Sequence, residues 1–215
     1  MNTPYTSHLR QDEFKSVYDP SEDTFLLLDA LENDAKYIQN LKPLTCLEIG
    51  TGSGIVTTFL AKILDTQQTI YVATDINPMA TKSLLLTVKQ NFDTVPIVEP
   101  ILTNLVGGLS CKFDLIVFNP PYVQSESEEI GTKLFAATSG GIKGREVMDK
   151  LFPQLDTIMS DTGVFYLVAI QVNKPKEIIE VMEGYGFIGE ILLSRRCGIE
   201  LLYILKFIRN KQLLQ

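Results

Sequence analysis

Leu47-Glu48-Ile49-Gly50-Thr51-Gly52-Ser53-Gly54 is the stretch of this 215-residue sequence that decides its fold. The apolar run ending at Ile49 predicts a buried strand, and the residues after Gly54 predict a helix. Glycines at alternate positions allow a tight turn and a close approach of the backbone to a ligand. The order of strand, glycine-rich turn and helix predicts the first βα unit of an α/β domain.

Strand-like runs and helix-like segments alternate along the rest of the chain. Strands are predicted near residues 44–49, 69–74, 96–102, 113–118 and 163–170, and helices near 54–65, 78–91, 144–159 and 175–185. Such alternation implies right-handed crossovers and a parallel sheet with helices on both faces. Residues 187–193 and 199–207 instead predict an antiparallel hairpin with a polar turn at Ser194–Gly198. We therefore predict an α/β fold: a doubly wound, mostly parallel seven-stranded sheet with an antiparallel C-terminal hairpin.

The length favours one large domain spanning residues 1–215. Within it we expect an irregular N-terminal arm (1–17), an N-terminal helical lid (18–42) and a Rossmann-like core (43–208). Ser21 is the predicted N-cap of the first helix, because acidic residues follow it in the first turn.

The composition argues against several classes of function. A net charge of −7 provides no basic footprint for nucleic acid, so nucleic acid is a disfavoured partner. Three widely spaced cysteines and a single histidine, His8, predict neither a disulfide framework nor a metal site. No apolar run approaches the roughly 20 residues of a membrane span. We expect a soluble cytoplasmic protein, with the nucleus open as a second location.

Asn119-Pro120-Pro121-Tyr122 directly follows the predicted strand at 113–118. Two prolines fix the backbone and remove two N–H donors, so the turn offers a carboxamide, bare carbonyls and an aromatic ring. An Asn oxygen and a carbonyl can accept both N–H bonds of a planar NH2 group, while Tyr122 stacks on its plane. A simple loop that closes a strand remains the alternative for this motif alone.

Asp75 ends the second predicted strand, about 25 residues after the first glycine. In doubly wound folds an acidic residue at this place binds ribose hydroxyls. The glycines here are spaced G-x-G-x-G, whereas the dinucleotide fingerprint is G-x-G-x-x-G. In addition, Glu48 lies two residues before the first glycine, where it would repel a pyrophosphate but attract a cation. Asn77-Pro78 is predicted to cap and open the next helix.

Taken together, these motifs resemble class I S-adenosylmethionine-dependent methyltransferases that modify planar NH2 groups. Residues 18–28, 117–123, 140–149 and 165–168 further resemble the HemK-like eukaryotic release-factor glutamine methyltransferases. The similarity covers about residues 14–208. It implies methylation of the glutamine amide nitrogen in the Gly-Gly-Gln loop of the peptide chain release factor.

The resemblance also implies roles for individual residues. The catalytic residues would be Asn119, Pro120, Pro121 and Tyr122, which hold the glutamine amide. The residues that bind S-adenosylmethionine would be Asp23, Thr24, Glu48, Gly50, Thr51, Gly52, Gly54, Asp75, Ile76, Asn104, Leu105 and Asn119. Within this set Glu48 would line the methionine part and Asp23 would close over the site. Asn104 departs from the family, which usually has an acid at this position near the adenine amino group; the Asn104 side-chain oxygen can still accept that hydrogen bond.

The family also acts as a heterodimer with a small zinc-binding methyltransferase activator, which the resemblance implies as a partner. Residues 95–102 contain Pro96 and Pro100, which suit an edge strand, and a 3-2-1-4-5 order places this strand at the sheet edge. Its apolar side chains need cover, from a helix of the same chain or from that activator by strand addition.

Three other functions remain open at the level of sequence. An adenine-amino methyltransferase shares the Asn-Pro-Pro-Tyr motif, a protein lysine could be the acceptor, and a cofactor-binding scaffold would have no turnover. Arg145 is expected to pair with a carboxylate or cap a helix start.

Overall fold

The structure is a computed structural model that describes residues 1–125, 139–141 and 143–210. The strands are β1 (Thr45–Ile49), β2 (Ile70–Asp75), β3 (Ile97–Leu102), β4 (Phe113–Phe118), β5 (Met159–Ile170), β6 (Phe187–Cys197) and β7 (Glu200–Arg209). In the described part of the chain they form a seven-stranded sheet in the order β3-β2-β1-β4-β5-β7-β6. Strands β1 to β5 pair in parallel, and β7 is antiparallel to β5 and β6. The predicted fold, with β3 at an edge, is confirmed. Two parts of the predictions lie outside the described residues: Ile142, in the segment 140–149 that resembles the family, and residues 211–215, at the end of the predicted domain.

The helices are α1 (Glu22–Asn33), α2 (Ala35–Leu41), α3 (Ile55–Leu64), α4 (Pro78–Asn91), α5 (Glu146–Leu151), α6 (Leu155–Ile158) and α7 (Pro175–Gly184). The single helix predicted at 144–159 was wrong, because a 3-10 turn, Phe152–Gln154, separates α5 from α6. Pro153 lies in that turn and lacks the N–H that a continuous helix requires there. Among the described residues, no helix is both long and apolar enough to cross a membrane.

The core consists of two layers of apolar side chains, one on each face of the sheet. Alternate residues of β4 illustrate the division: Leu115 and Val117 pack with α1, α2 and α3, whereas Ile116 and Phe118 pack with α5, α6 and α7. This alternation follows from the two-residue period of a strand. Because helices cover both faces, a ligand can reach the sheet at the ends of its strands.

The segment predicted as a lid at 18–42 belongs to this core. Leu26, Leu27 and Leu31 of α1 and Ile38 of α2 are fully buried and join the layer that covers β1, β4 and β5. The N-terminal arm is also more regular than predicted, since Ser7–Arg10 and Asp12–Phe14 form 3-10 helices.

His8 holds the arm to α4. It is buried, its Nε2 lies 2.8 Å from Ser83 Oγ, and its ring packs edge-on against Phe14. Burial lowers the pKa of His8, which favours the neutral imidazole. Although its sequence is polar, the N-terminal arm packs against α4, because a few of its side chains, including His8 and Phe14, are buried.

The hairpin turn predicted at Ser194–Gly198 is shorter in the structure. β6 continues to Cys197, and the turn consists of Gly198 and Ile199, with a φ of 60° at Gly198. The polar run Ser194-Arg195-Arg196 was mistaken for a turn. An edge strand tolerates such residues because it is exposed to solvent.

Candidate active site

Three neighbouring strands carry the predicted site residues to one edge of the sheet. β1 pairs in parallel with β2 and with β4, so the carboxyl ends of the three strands lie together. Gly50 follows β1, Asp75 ends β2 and Asn119 follows β4. The structure thus brings the glycine-rich turn, the strand-end carboxylate and the Asn-Pro-Pro-Tyr turn into one site.

The glycine-rich turn depends on a left-handed backbone at its glycines. Gly50 has a φ of 70° and Gly52 a φ of 48°, values that are unfavourable for residues with a Cβ atom. The Gly50 N–H donates to the Thr74 carbonyl at 2.8 Å and fixes the turn to β2. A Cβ built on Gly50 would lie nearest to Phe118 Cε2, at 3.8 Å, and to the Asn119 carbonyl oxygen, at 4.0 Å, and one on Gly52 would lie nearest to Tyr18 Cβ, at 3.9 Å. These are ordinary contact distances, so the positive φ values are the reason for glycine at both positions, which lie beside the Asn-Pro-Pro-Tyr motif and Tyr18.

Gly54, whose φ is 78°, has a second reason to be glycine. A Cβ there would lie 2.5 Å from the Leu84 Cα, so its absence allows α4 to pack closely against the start of α3. Its N–H is also used within the turn, where it donates to the Thr51 carbonyl at 2.8 Å. The predicted contact of Gly54 with the cofactor stays a prediction, and packing explains this glycine by itself.

Asp75 connects β2 to the glycine-rich turn. Its Oδ2 accepts the Gly52 N–H at 2.9 Å and its Oδ1 accepts the Asn77 N–H at 2.8 Å. Burial raises the pKa of Asp75, and the backbone hydrogen bonds oppose that shift. Asn77 is the N-cap of α4, as predicted: its side chain accepts the Met79 N–H, and Pro78 is the first helical residue. Each Asp75 oxygen retains lone-pair capacity for a hydroxyl donor.

The residues predicted near an adenine lie beside Asp75. The Thr103 N–H donates to the Asp75 carbonyl at 2.9 Å, which brings the loop after β3 next to the end of β2. Ile76 is 47% exposed and Asn104 is also exposed, while Leu105 is half-buried with a φ of 51°. Their positions suit the predicted contacts, which stay predictions.

Glu48 turns toward the start of α3. Its Oε2 accepts the Thr51 hydroxyl at 3.0 Å, the Thr57 N–H at 3.0 Å and the Thr57 hydroxyl. Burial raises the pKa of Glu48 to about 7, although those hydrogen bonds favour the ionised form. These contacts assign Glu48 to shaping the glycine-rich turn; its predicted contact with the cofactor stays a prediction.

Asp23, in the first turn of α1, is the hydrogen-bonding centre of the site. Its Oδ1 accepts the Tyr18 hydroxyl at 3.0 Å and both the N–H and the hydroxyl of Thr24, at 2.7 and 3.3 Å. Its Oδ2 accepts the Asn119 amide at 2.9 Å and the Tyr122 hydroxyl at 2.9 Å. Asp23 is 3% exposed. Oδ1 thus binds Thr24 in α1 and Tyr18 before it, whereas Oδ2 binds two residues of the Asn-Pro-Pro-Tyr motif.

Asn119 leaves one buried acceptor without a partner. A carboxylate only accepts hydrogen bonds, so the atom of Asn119 that faces Asp23 must be its NH2 group. The carbonyl oxygen, Oδ1, consequently points away from Asp23, and it is buried with no hydrogen-bond partner among the residues that the structure describes. Buried polar groups are normally paired, so an orphaned acceptor at a strand end indicates a place for a donor.

The two tyrosines of the site act as hydroxyl donors. Burial, followed by the charge of Asp23, raises the pKa of both Tyr18 and Tyr122 well above the ordinary value, so both stay protonated. Stacking of Tyr122 on a substrate amide stays a prediction, but its hydroxyl is anchored to Asp23. Tyr18 was missed as a site residue, although it lies in the conspicuous segment just before Asp23.

Two more residues complete the surroundings of the motif. Arg145 pairs with Asp149 at 3.1 Å and with Glu177 at 3.4 Å, so its predicted pairing with a carboxylate is confirmed. Asn173 was missed, because a polar residue after a strand gives no signal of its own. Its side chain donates to the Tyr122 carbonyl at 3.0 Å.

Comparisons with known proteins agree with this geometry. The family described as methyltransferase small domain matches residues 19–185. The chain is 44% identical to the human protein named Methyltransferase HEMK2, over 97% of both chains. It is 39% identical to the eRF1 methyltransferase catalytic subunit mtq2 of Schizosaccharomyces pombe, over 97% of this chain and 96% of that one.

A solved structure resembles the chain over most of its length. It is that of the E. cuniculi Mtq2–Trm112 complex, responsible for the methylation of the eRF1 translation termination factor. The TM-score is 0.67 at 30% sequence identity, and the match covers 90% of this chain and 99% of that one.

Proposed function

Since this chain belongs to the methyltransferase small domain family, and within it to the HemK-like release-factor glutamine methyltransferases, we propose that its substrate is a release-factor glutamine. The chain is a methyltransferase that uses S-adenosylmethionine. The proposed acceptor is the side-chain amide nitrogen of the glutamine in the Gly-Gly-Gln loop of a eukaryotic or archaeal-type peptide chain release factor.

The observation that carries the proposal is the unpartnered Asn119 Oδ1. A glutamine NH2 group has two donors and no acceptor, so it requires acceptors alone around it. Asn119 Oδ1 can accept one N–H, and the carbonyl of Pro120 can accept the other. Because the two prolines of the turn have no N–H, no backbone donor of theirs competes with the substrate.

The residues of the site also fit the cofactor. Gly50 and Gly52 turn the backbone beside Asn119 and Tyr18 with no Cβ to limit the approach of a ligand. Asp75 is proposed to accept the ribose hydroxyls on lone pairs that its two backbone hydrogen bonds leave unused. When bound, S-adenosylmethionine supplies an electrophilic methyl group.

The proposed contribution of the protein is positioning and electrostatics. An amide nitrogen is a weak nucleophile, because its lone pair is delocalised into the carbonyl. Asn119 Oδ1 and the Pro120 carbonyl orient the NH2 group, and their partial negative charges stabilise the positive charge that develops on nitrogen until it releases one proton to water. Tyr18 and Tyr122 retain their protons, so they orient Asp23 and do not act as bases.

A methyl-transfer assay tests the proposal. The chain, with its activator, is incubated with methyl-labelled cofactor and three acceptors: the release factor, the release factor with the loop glutamine replaced by alanine, and duplex DNA. Label on the first acceptor only is expected. Label on DNA, or equal label on both release factors, would refute the proposal, and no label on any acceptor would favour a scaffold without turnover.

Two variants of the chain separate the proposed site from general folding effects. Asn119→Ala should abolish turnover while cofactor affinity, measured by calorimetry, stays within about threefold of the wild type. Asn91→Ala is the matched control, because Asn91 also bonds through its side-chain amide but lies at the end of α4. Loss of cofactor binding in Asn119→Ala would contradict its assignment to the substrate.

A second part of the proposal concerns a partner. The E. cuniculi Mtq2 protein was solved in complex with Trm112, and we propose that this chain forms a heterodimer with a small zinc-binding activator of the same kind. Strand β3 is the proposed docking strand, since it ends the sheet with Ile97 47% exposed and Leu102 58% exposed. Strand addition would pair its free backbone groups and cover these side chains.

Paired substitutions on the two sheet edges test this partner. Ile97→Lys on β3 should abolish co-purification with the activator, because burying an unpaired ammonium in the interface is unfavourable. Ile188→Lys is the control, since Ile188 is 50% exposed on β6 at the opposite edge. Equal loss in both variants, or a soluble and fully active chain without the activator, would contradict the proposal.

A further inference from the structure

Asn173 is a fully buried amide that the reaction described above does not use. It ends the 3-10 turn Gln171–Asn173, which follows β5, and its exposed fraction is 0%. Burial of an amide is unfavourable unless its donors and acceptor are all paired. The partners of this side chain therefore reveal what it holds in place.

Three chain segments meet at this amide. Its Oδ1 accepts the Ile170 N–H at 2.8 Å. Its Nδ2 lies within hydrogen-bond distance of three carbonyl oxygens: Tyr122 at 3.0 Å, Gly144 at 3.1 Å and Lys143 at 3.2 Å. A backbone N–H only donates and carbonyls only accept, so the orientation of the amide is fixed by its partners.

Glycines allow the segment around residue 144 to approach the turn this closely. A Cβ on Gly144, whose φ is 65°, would lie 2.1 Å from the Tyr122 carbonyl oxygen and 2.6 Å from Asn173 Nδ2. A Cβ on Gly140 would lie 2.6 Å from the Pro121 carbonyl oxygen. The Pro121-Tyr122 backbone is thus enclosed on the side where Asn173 binds it.

We propose that Asn173 is a positioning residue for methyl transfer, which holds the backbone of the Asn-Pro-Pro-Tyr turn at the Tyr122 carbonyl. The turn contains two prolines, so two of its residues have no N–H with which to hold it, and a donor must come from elsewhere. Asp23 fixes the side chains of Asn119 and Tyr122, and Asn173 fixes the backbone behind them. Together they set the spacing between Asn119 Oδ1 and the Pro120 carbonyl.

The inference rests on the proposed function, and Asn173→Asp tests it. The variant keeps an acceptor for the Ile170 N–H but places a carboxylate oxygen against the carbonyls. We expect kcat for the release factor to fall by about tenfold or more, because small misplacements of reacting groups are costly, with KM for the cofactor unchanged. Asn91→Asp is the matched control: Asn91 Nδ2 donates to the Tyr5 and Thr87 carbonyls, and its kcat should stay unchanged.

A spectroscopic measurement makes the test independent of activity. In protein labelled with 3-fluorotyrosine, the Tyr122 fluorine resonance is assigned through Tyr122→Phe. Asn173→Asp should shift or broaden that resonance, and Asn91→Asp should leave it in place. If Asn173→Asp is insoluble, the uncharged Asn173→Ser is measured in the same way.

The outcomes distinguish this inference from the proposed function. An unchanged kcat and an unchanged Tyr122 resonance in a folded Asn173 variant would overturn the positioning role. A kcat that falls only in proportion to the folded fraction would likewise show a structural role alone. Wild-type protein that methylates no release factor would refute the proposed function, while the fluorine spectrum would still test Asn173.

Discussion

Asp23 accepts a hydrogen bond from the Asn119 NH2 group, so replacing Asp23 by Asn should reverse the orientation of the Asn119 side-chain amide. The variant has the same shape, and its oxygen can still accept from Tyr18 and Thr24, as Oδ1 does in the wild type. The introduced NH2 group then takes the place of Oδ2, which accepts from Asn119. Since two NH2 groups cannot bond each other, Asn119 must flip and present its own NH2 group to the substrate.

The decrease in kcat follows from the loss of the hydrogen bond between the substrate NH2 group and Asn119 Oδ1, a bond that becomes charge-assisted as positive charge develops on the nitrogen. A hydrogen bond to a charged group contributes about 1.5–3 kcal/mol, which corresponds to a decrease in kcat of about 10- to 150-fold. The free energy of unfolding should fall by about 1–3 kcal/mol: the bonds to Tyr18 and Thr24 remain, but the Tyr122 hydroxyl loses the oxygen to which it donates, and the start of α1 loses a favourable charge.

Steady-state kinetics with the release factor, together with calorimetry for the cofactor, provide the assay. The double variant Asp23→Asn with Asn119→Asp should recover activity relative to Asp23→Asn, since the introduced carboxylate accepts from the introduced amide and again offers an oxygen to the substrate. Wild-type kcat in Asp23→Asn would refute the reasoning. Weakened cofactor binding with unchanged kcat would instead support the role that the sequence predicted for Asp23.

Three further predictions concern the glycine-rich turn and its neighbours. Burial raises the pKa of Glu48 from 4.5 to about 7, so the folded state holds the Glu48 proton more tightly than the unfolded chain does. The resulting contribution to the free energy of unfolding is present below pH 4.5 and is lost as the pH rises through about 7. Urea denaturation should show this loss in the wild type, and an equal loss in Glu48→Gln would exclude Glu48 as its cause. Gly54→Ala should lower the free energy of unfolding by about 1–3 kcal/mol more than Gly108→Ala. A Cβ at Gly54 would lie 2.5 Å from the Leu84 Cα, whereas one at Gly108, whose φ of 79° is close to the 78° of Gly54, would have no described atom within 4 Å. Equal losses in the two variants would show that backbone strain alone matters. Asp75→Ala should weaken cofactor binding about tenfold or more in calorimetry, and an unchanged Kd would remove Asp75 from the proposed ribose site.

Much of the fold could be predicted because its signals are local. The apolar run Phe113–Phe118 coincides with β4, and Asn77-Pro78 begins α4 as its capping chemistry predicts. The run Ser194-Arg195-Arg196 misled the prediction, since polarity indicates exposure but cannot distinguish a turn from an exposed edge strand.

The strand-end positions of Gly50, Asp75 and Asn119 could be predicted from the sequence, but the hydrogen bonds around them could not. The contact of Glu48 with the cofactor stays a prediction, but its hydrogen bonds to Thr51, in the glycine-rich turn, and to Thr57, in α3, could not be foreseen. The predicted closure of Asp23 over the cofactor stays a prediction, and its hydrogen bond to the Asn119 side chain, 96 residues away in sequence, was not predicted. A single sequence contains no signal for such a distant pair, because only the packing of α1 beside β4 brings the two groups together.

The central claim is that Asn119 Oδ1 accepts a hydrogen bond from the substrate amide. A structure of the chain with its activator, S-adenosylhomocysteine and a Gly-Gly-Gln peptide tests it most directly. We predict that the glutamine nitrogen lies about 2.7–3.2 Å from Asn119 Oδ1 while Asn119 Nδ2 still donates to Asp23. A glutamine nitrogen bound elsewhere, with Asn119 Oδ1 still unpartnered, would contradict the account.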